Sequence, residues 1–180
     1  MEYGIMILIG LILIFIIWII AVSNSLNRSI VKIDEASSGI DVALTKRYDT
    51  LTKMMDVVKA YAKHEKDTIF EVINLRQNMT TSEKIEANNK INSNLEKIYA
   101  LAENYPELKS SENYNTLQKS IADAEEHLQA ARRMFNSNVS IYNQKLVTFP
   151  TSIIANSKGL TKKTFFEAES VKKEDVKIDL

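Results

Sequence analysis

The sequence predicts an all-α protein, with an N-terminal transmembrane helix followed by an antiparallel four-helix bundle of the up-and-down type. Three observations lead to this fold class. An unbroken apolar segment runs from Gly4 to Val22. Beyond it, apolar residues recur at steps of three and four, as on one face of a helix. The 180 residues include only 4 Gly and 2 Pro, fewer than a sheet protein with many tight turns requires.

The composition narrows the possible functions. Lys and Arg total 23, and Asp and Glu also total 23, so no global basic field indicates nucleic acid and we expect no nucleic-acid partner. The chain has no Cys, which excludes disulfides, thiolate metal sites and a Cys nucleophile. Its length suits one domain plus an anchor. We expect an anchor over 1–23, a helical bundle over 24–157 and a charged, flexible tail over 158–180.

The apolar segment, GIMILIGLILIFIIWIIAV, contains no charged side chain. At about 1.5 Å per residue it reaches roughly 28 Å, close to the thickness of a bilayer's hydrocarbon core. We therefore predict an uncleaved signal anchor that binds the lipid bilayer through residues 4–22. Ala21-Val22-Ser23 resembles a small-x-small cleavage site, so a cleaved signal peptide is the alternative.

The charges flanking this segment predict its orientation. Arg28 and Lys32 follow it closely and Lys46 and Arg47 come soon after, whereas only the amino terminus and Glu2 precede it. The positive-inside rule then predicts a single-pass protein of the cell membrane with its bundle in the cytoplasm. Large domains can cross a membrane regardless of charge, so the opposite orientation stays open.

Helical periodicity continues from Ser23 to about Met79, and Asp49-Thr50 is the expected break because both residues can cap a new helix. No other firm breaker except Gly39 stands near the anchor, so the transmembrane helix can continue into the first bundle helix. The apolar positions of this stretch are Ile33, Ala36, Ile40, Ala43, Leu44, Leu51, Met54, Met55, Val58, Tyr61, Ala62, Ile69, Val72 and Leu75.

Two further helices have clearer ends. Thr80 and Glu83 form a T-x-x-E capping box, which predicts a helix start, and Pro106 predicts its end near Asn104. A last long helix is expected from just after Ser111 to about Val147. The inner positions of these helices are Ile85, Ile91, Leu95, Ile98, Leu101, Ala102, Leu117, Ile121, Ala124, Leu128, Ala131, Phe135 and Ile141.

With these helices placed, the chain closely resembles LemA family proteins over about residues 1–167. The stretches that carry the likeness include IDVALTKRYD at 40–49, VKAYAKHE at 58–65, ALAENYPELK at 100–109, ARRMFN at 131–136 and FFE at 165–167. One departure is Thr52-Lys53, where the family pattern usually has Pro-Asn. The resemblance implies a membrane-anchored four-helix bundle that takes part in membrane assemblies. It supplies no catalytic or ligand residues.

A search for chemistry yields no catalytic, cofactor-binding or metal-binding residue, and no cofactor is expected. His64-Glu65 begins like a zinc protease motif, but H-E-x-x-H needs His where Thr68 stands. His127 has Ala124 three residues before it, so it does not match the Glu-x-x-His of di-iron bundles. We expect both His residues on polar faces; a charge-dependent partner contact is the alternative for His64.

Arginine stands out in a chain that otherwise prefers Lys, and its planar guanidinium can form two parallel hydrogen bonds with one carboxylate. We expect Arg132 or Arg133 to pair with Asp49 or Glu125 and so fix the helix register; Arg47 and Arg76 are the other arginines of interest. Lys63-Asp67 and Glu86-Lys90 are expected as i,i+4 pairs.

Two aromatic-Pro pairs, Tyr105-Pro106 and Phe149-Pro150, stand at helix ends. We expect their rings to cap the core, with an exposed docking site as the alternative. Gly39 lies alone in a helical pattern, which predicts a close packing contact or a kink.

These features favour a non-enzymatic scaffold or adaptor that acts through protein partners or self-association at the membrane. A stress or ligand sensor without its own output domain is the second hypothesis. An enzyme with an unusual helical site is the third.

Overall fold

The computed structural model describes residues 2–62 and 70–167. These residues form five helices and no strand, so the predicted all-α class is confirmed. The helices are α1 (Glu2–Tyr61), α2 (Thr81–Asn104), α3 (Pro106–Ser110), α4 (Glu112–Val147) and α5 (Thr151–Ser157). The segment around His64 and the last thirteen residues, 168–180, lie outside the described residues.

The chain divides into two compact units. Unit 1 comprises Met1–Ser37 and Met134–Thr164, and unit 2 comprises Ser38–Arg133 and Phe165–Leu180. Helices α1 and α4 each contribute residues to both units. The two units are therefore described separately.

Helix α1 continues through the position where the sequence predicted a break. Thr50 does not cap a new helix; its Oγ1 donates a hydrogen bond to the carbonyl of Lys46 at 2.9 Å. A Thr hydroxyl inside a helix can donate its hydrogen bond to a carbonyl of the preceding turn, so the helix continues past it. The predicted break at Asp49-Thr50 is thus wrong. Helix α1 runs from Glu2 to Tyr61, a continuity that the sequence allowed but did not predict.

By length and composition, α1 contains a stretch able to cross a membrane, and none of that stretch is buried against the described residues. The fully buried part of α1 begins at Leu26. The apolar segment therefore has no packing partner within the described protein that would account for its hydrophobicity.

The prediction of helix over residues 70–76 is wrong. The side chain of Asn94 on α2 forms hydrogen bonds with both backbone polar groups of Glu71. Asn94 Oδ1 accepts from the Glu71 N–H at 2.8 Å, and Asn94 Nδ2 donates to the Glu71 carbonyl at 2.9 Å. These bonds replace the ones a helix would provide. Val72, expected inside, is 75% exposed.

Within unit 2, α1 and α2 run parallel. Lys84 on α2 pairs with Asp41 on α1, and Asn88 pairs with Arg47, so the contacts advance together along both helices. Residues 62 and 70–80, the described part of the connection between α1 and α2, form no helix. The described residues thus supply three long helices, α1, α2 and α4, instead of the predicted four.

Gly39 does not make a very close contact. A Cβ built on Gly39 would lie 3.9 Å from the Ala131 Cβ, an ordinary van der Waals distance. Because glycine costs more backbone entropy than alanine in a helix, we expect Gly39→Ala to raise the free energy of unfolding by about 0.5–1 kcal/mol. Chemical denaturation of the two proteins measures this; a loss of stability would show that the position needs Gly.

The capping box at the start of α2 is confirmed. Thr80 Oγ1 accepts from the Glu83 N–H at 3.3 Å, and the Thr80 N–H donates to Glu83 Oε2 at 2.7 Å. We expect Thr80→Ala to lower the free energy of unfolding by about 1 kcal/mol. Thr52→Ala is the matched control, because Thr52 lies inside a helix, and it should change stability by less than about 0.5 kcal/mol. Equal effects in denaturant titrations would contradict a capping role.

Glu83 also makes α2 sensitive to acid. Hydrogen bonds from the backbone and hydroxyl of Thr80, and then from Arg76, hold the pKa of Glu83 below its ordinary value. Its contribution is therefore complete above the ordinary Glu pKa and is lost as the pH falls through the lowered folded value. We expect Glu83→Gln to flatten the fall of stability between about pH 5 and pH 3. Unchanged acid titration curves would count against this.

The stretch from residue 158, expected as a flexible tail, has fixed contacts over its described part. In unit 1, Tyr142 Oη donates to the Thr161 carbonyl at 3.1 Å. Asn143 brackets Lys163, with Nδ2 donating to its carbonyl and Oδ1 accepting from its N–H, both at 2.9 Å. In unit 2, Phe166 is buried, with 3% of its surface exposed.

Candidate functional site

Each unit contains a polar cluster built around one cation. In unit 2, the Arg47 cluster consists of Arg47, Asn88, Asn92 and Glu125. In unit 1, the Lys145 cluster consists of Lys145, Ser25 and Ser29. Together with the Lys84–Asp41 pair of unit 2, these clusters contain buried or half-buried charges of the described chain.

In the Arg47 cluster, three helices meet on one guanidinium. Nη1 donates to Asn88 Oδ1, and Nη2 donates to Asn92 Oδ1 at 2.9 Å. Nη2 also lies 2.9 Å from Glu125 Oε2. Asn88 and Asn92 are four residues apart, which places both amides on one face of α2. Arg47 is 3% exposed, so this single residue links α1, α2 and α4 inside the unit.

Burial and charge act on Arg47 in opposite directions. Loss of hydration lowers the pKa of Arg47, and the nearby carboxylate of Glu125 raises it. An Arg side chain remains charged in either case. Its Nε is buried and has no hydrogen-bond acceptor among the described residues. The cluster therefore holds a permanent charge whose stability depends on these few partners.

A second charged contact in unit 2 also joins two helices, α1 and α2. Lys84 is buried on α2, and its Nζ lies 2.7 Å from Asp41 Oδ1 and 2.8 Å from Oδ2. Asp41 and Arg47 are separated by nearly two turns of α1. Together these contacts fix how α1 and α2 are aligned along their length.

In the Lys145 cluster, the ammonium is held by uncharged groups. Lys145 Nζ donates to Ser25 Oγ and Ser29 Oγ, each at 2.9 Å, and lies 3.4 Å from the Ser25 carbonyl. The described residues give it no carboxylate partner. Lys158 contacts Ser23 Oγ, two residues closer to the apolar segment than Ser25. Positive charge thus accumulates just beyond Val22.

Next to the Lys145 cluster, unit 1 has an open cleft with a volume of about 540 Å³. Ile17, Ile20 and Ala21 line its apolar part, and Arg28, Lys32 and Lys145 line its charged part. The cleft therefore changes from apolar to cationic along α1.

The histidines do not form a metal site in the described part of the chain. His127 is exposed on α4, as expected for a polar face. No group of three His, Asp or Glu residues able to hold a metal occurs among residues 2–62 and 70–167. His64-Glu65 and the Lys63-Asp67 pair lie outside the described residues. Glu86 and Lys90 pair at 2.8 Å, as expected.

The sequence predicted an Arg–carboxylate pair between helices, and such a pair exists, but the predicted arginine is wrong. Glu125 is paired, but its partner is Arg47 instead of Arg132 or Arg133. Arg132 lies over the ring of Phe166, 4.5 Å from the ring centre, and Arg76 pairs with Glu83. The cluster on Arg47 escaped sequence reasoning because Asn88 and Asn92 carry no charge; their i,i+4 spacing was the available signal.

The aromatic-Pro pairs differ in their exposure. Tyr105 is half-buried at the junction of α2 and α3. Phe149 is 77% exposed, so the expectation that its ring caps the core is wrong. Ile153 is exposed nearby on α5. Unit 1 therefore presents apolar side chains to its surroundings at the end of α4.

Comparison with known proteins places these features in context. A family model described as LemA family matches residues 36–180. The protein named Protein LemA from Metamycoplasma hominis is similar, with 28% identity over 158 residues. That alignment covers 85% of this chain and 72% of the relative.

Proposed function

We propose a function from one established premise: this chain belongs to the LemA family. We take it to be a membrane-anchored scaffold or adaptor without catalytic activity. Residues 4–22 hold it in the bilayer, with the rest of the chain in the cytoplasm. It acts through protein partners or self-association, and nucleic acid has no part in this role.

The observation that carries this proposal is the Arg47 cluster. A scaffold must present its surfaces in a constant arrangement. One buried guanidinium on α1 with partners on α2 and α4 favours a single alignment of these three helices. Lys84 and Asp41 support the same alignment. The polar groups buried in unit 2 are thus used to hold helices together.

The proposal keeps a helical bundle but changes its arrangement. Within unit 2, α1 and α2 run parallel, so we take α1, α2 and α4 as the members of this bundle. Exposed faces of α1 and α4 would then be available to partners.

Site-specific photo-crosslinking in native membranes tests the scaffold role. Val42 on α1 is 68% exposed, and a photo-reactive residue there should capture the same protein in repeated experiments. Lys53, also exposed on α1, is the matched control position and should give a different or weaker pattern. A protein that stays monomeric and gives no reproducible crosslink from either position would contradict the proposal.

A sensor is the second candidate, because of one observation in unit 2. Arg47 lines an open cleft of about 560 Å³ together with Asn92, Tyr99 and Glu125, and its buried Nε has no acceptor among the described residues. A small ligand with an acceptor group could satisfy that N–H. A ligand that raises the melting temperature of the wild type, but not of an Asn92→Ala variant, would favour this role; a broad screen without such a shift would count against it.

A further inference from the structure

The charge of the chain is balanced overall but not near the apolar segment. Residues 23–33 and 134–164, which belong to unit 1, contain no Asp or Glu. The nearest acidic residues along α1 are Asp34 and Glu35. The cations of these two stretches are Arg28, Lys32, Lys145, Lys158, Lys162 and Lys163. Unit 1 therefore has a local positive field that whole-chain composition conceals.

Three of these cations line the cleft of unit 1, whose other part is apolar. Arg28 and Lys32 are exposed and have no ion-pair partner in the described part of the chain. Lys145 is half-buried and held by serine hydroxyls. A ligand that fits must combine an anionic group with an apolar part, because charged and apolar surfaces meet in one cleft.

The depth of the cleft matches the surface of a bilayer. If the hydrocarbon core ends near Val22, Ser25 and Ser29 lie about 5 and 10 Å beyond it along α1. The headgroup layer on each side of a bilayer is roughly 5–8 Å thick. The ammonium of Lys145, which bonds to both serines, therefore lies at the level of lipid phosphates.

The end of α4 lies at the same level. Lys145 contacts Ser25 and Lys158 contacts Ser23, so both ends of the stretch between these lysines lie close to the start of the headgroup layer. Phe149 and Ile153 are exposed in this part. Aromatic and aliphatic side chains beside cations suit the boundary between headgroups and acyl chains.

We infer that this cleft binds the headgroup of an anionic phospholipid. Arg28, Lys32 and Lys145 face the phosphate, and Ile17, Ile20 and Ala21 lie along the upper part of the acyl chains. Phe149 and Ile153 enter the interface next to the bound lipid. The inference rests on the membrane anchoring in the proposed function, but not on any protein partner.

Native mass spectrometry of the full-length protein, released from mixed micelles, tests the inference. The probes are phosphatidylglycerol and phosphatidylcholine at equal concentration, with inorganic phosphate in a separate arm. Wild-type protein should retain phosphatidylglycerol preferentially. In Arg28→Gln/Lys32→Gln that preference should fall by about thirtyfold, since each of the two cations contributes about 1 kcal/mol to binding an anionic lipid near a membrane surface.

The double variant is suitable because both side chains are exposed and have no ion-pair partner among the described residues, so it should keep the wild-type melting temperature. Lys46→Gln/Lys53→Gln is the matched control with the same charge change in unit 2, and it should keep the lipid preference. Lys145→Gln provides a second variant, which removes one cation and should lower the preference by about fivefold.

Several outcomes would overturn the inference. Equal retention of the two lipids by the wild type would exclude a headgroup site, and an unchanged preference in the double variant would place the lipid elsewhere. Displacement of the lipid by inorganic phosphate at matched concentration would show a simple anion site. Equal loss in the control would show a non-specific charge effect. A failed lipid preference alongside reproducible crosslinks from Val42 would leave the scaffold proposal intact, and the converse result would separate the two equally well.

Discussion

Arg47→Ala should lower the free energy of unfolding by about 3 kcal/mol and the melting temperature by roughly 10 °C. The substitution removes a guanidinium that is 3% exposed and leaves Asn88, Asn92 and Glu125 without their shared donor. Breaking a buried pair costs about 3–5 kcal/mol. Because Glu125 is partly exposed and water can reach it, we expect the lower end of that range.

Arg133→Ala is the matched control, since Arg133 is exposed on α4 in the same unit. It should change stability by less than about 0.5 kcal/mol. Arg47→Lys should lie between the two, because Lys keeps the charge but loses the planar fork. Thermal unfolding of the full-length protein in mild detergent, followed by circular dichroism, compares all three. Equal melting temperatures for Arg47→Ala and Arg133→Ala would show that the cluster does not hold unit 2 together.

Leu11→Lys/Ile14→Lys should release at least half of the protein from membranes, whereas either single substitution should leave it bound. The Ile, Leu, Phe and Val residues of the apolar segment favour insertion by about 0.3–0.6 kcal/mol each, or roughly 6 kcal/mol in total. One central Lys opposes this by about 3 kcal/mol, so a single change leaves insertion favourable. Two lysines nearly cancel it.

Alkaline extraction of membranes measures this partition. Leu11→Val/Ile14→Val changes the same two positions without charge and should remain fully in the membrane fraction. Complete retention of the double Lys variant would mean that another part of the chain holds the protein to the membrane.

Local chemistry made several helix ends predictable from the sequence. The Thr80-Glu83 box and Pro106 act through their immediate neighbours, and α2 begins and ends where they require. Helix α4 likewise ends at the predicted Val147. At these positions the decisive bonds lie within a few residues, so the sequence alone contains the needed information.

Distant contacts account for the errors. Asn94 lies 23 residues beyond Glu71 and holds its backbone out of a helix, which no local pattern reveals. The partner of Glu125 depends on how α1 and α4 align, and four arginines offered plausible choices. Thr50 could either cap a helix or bond to the preceding turn, and its surroundings selected the second. Tertiary context decided each case.

The most direct test of the account uses the absence of Cys from the chain, which allows single cysteines to be labelled without background. Tyr3→Cys and Thr52→Cys lie on opposite sides of residues 4–22. In intact cells, a membrane-impermeant maleimide should label Tyr3→Cys and leave Thr52→Cys unlabelled until the cells are opened. Labelling of both positions from the same side, or loss of the Tyr3 site by cleavage near Ser23, would contradict a membrane-anchored scaffold facing the cytoplasm.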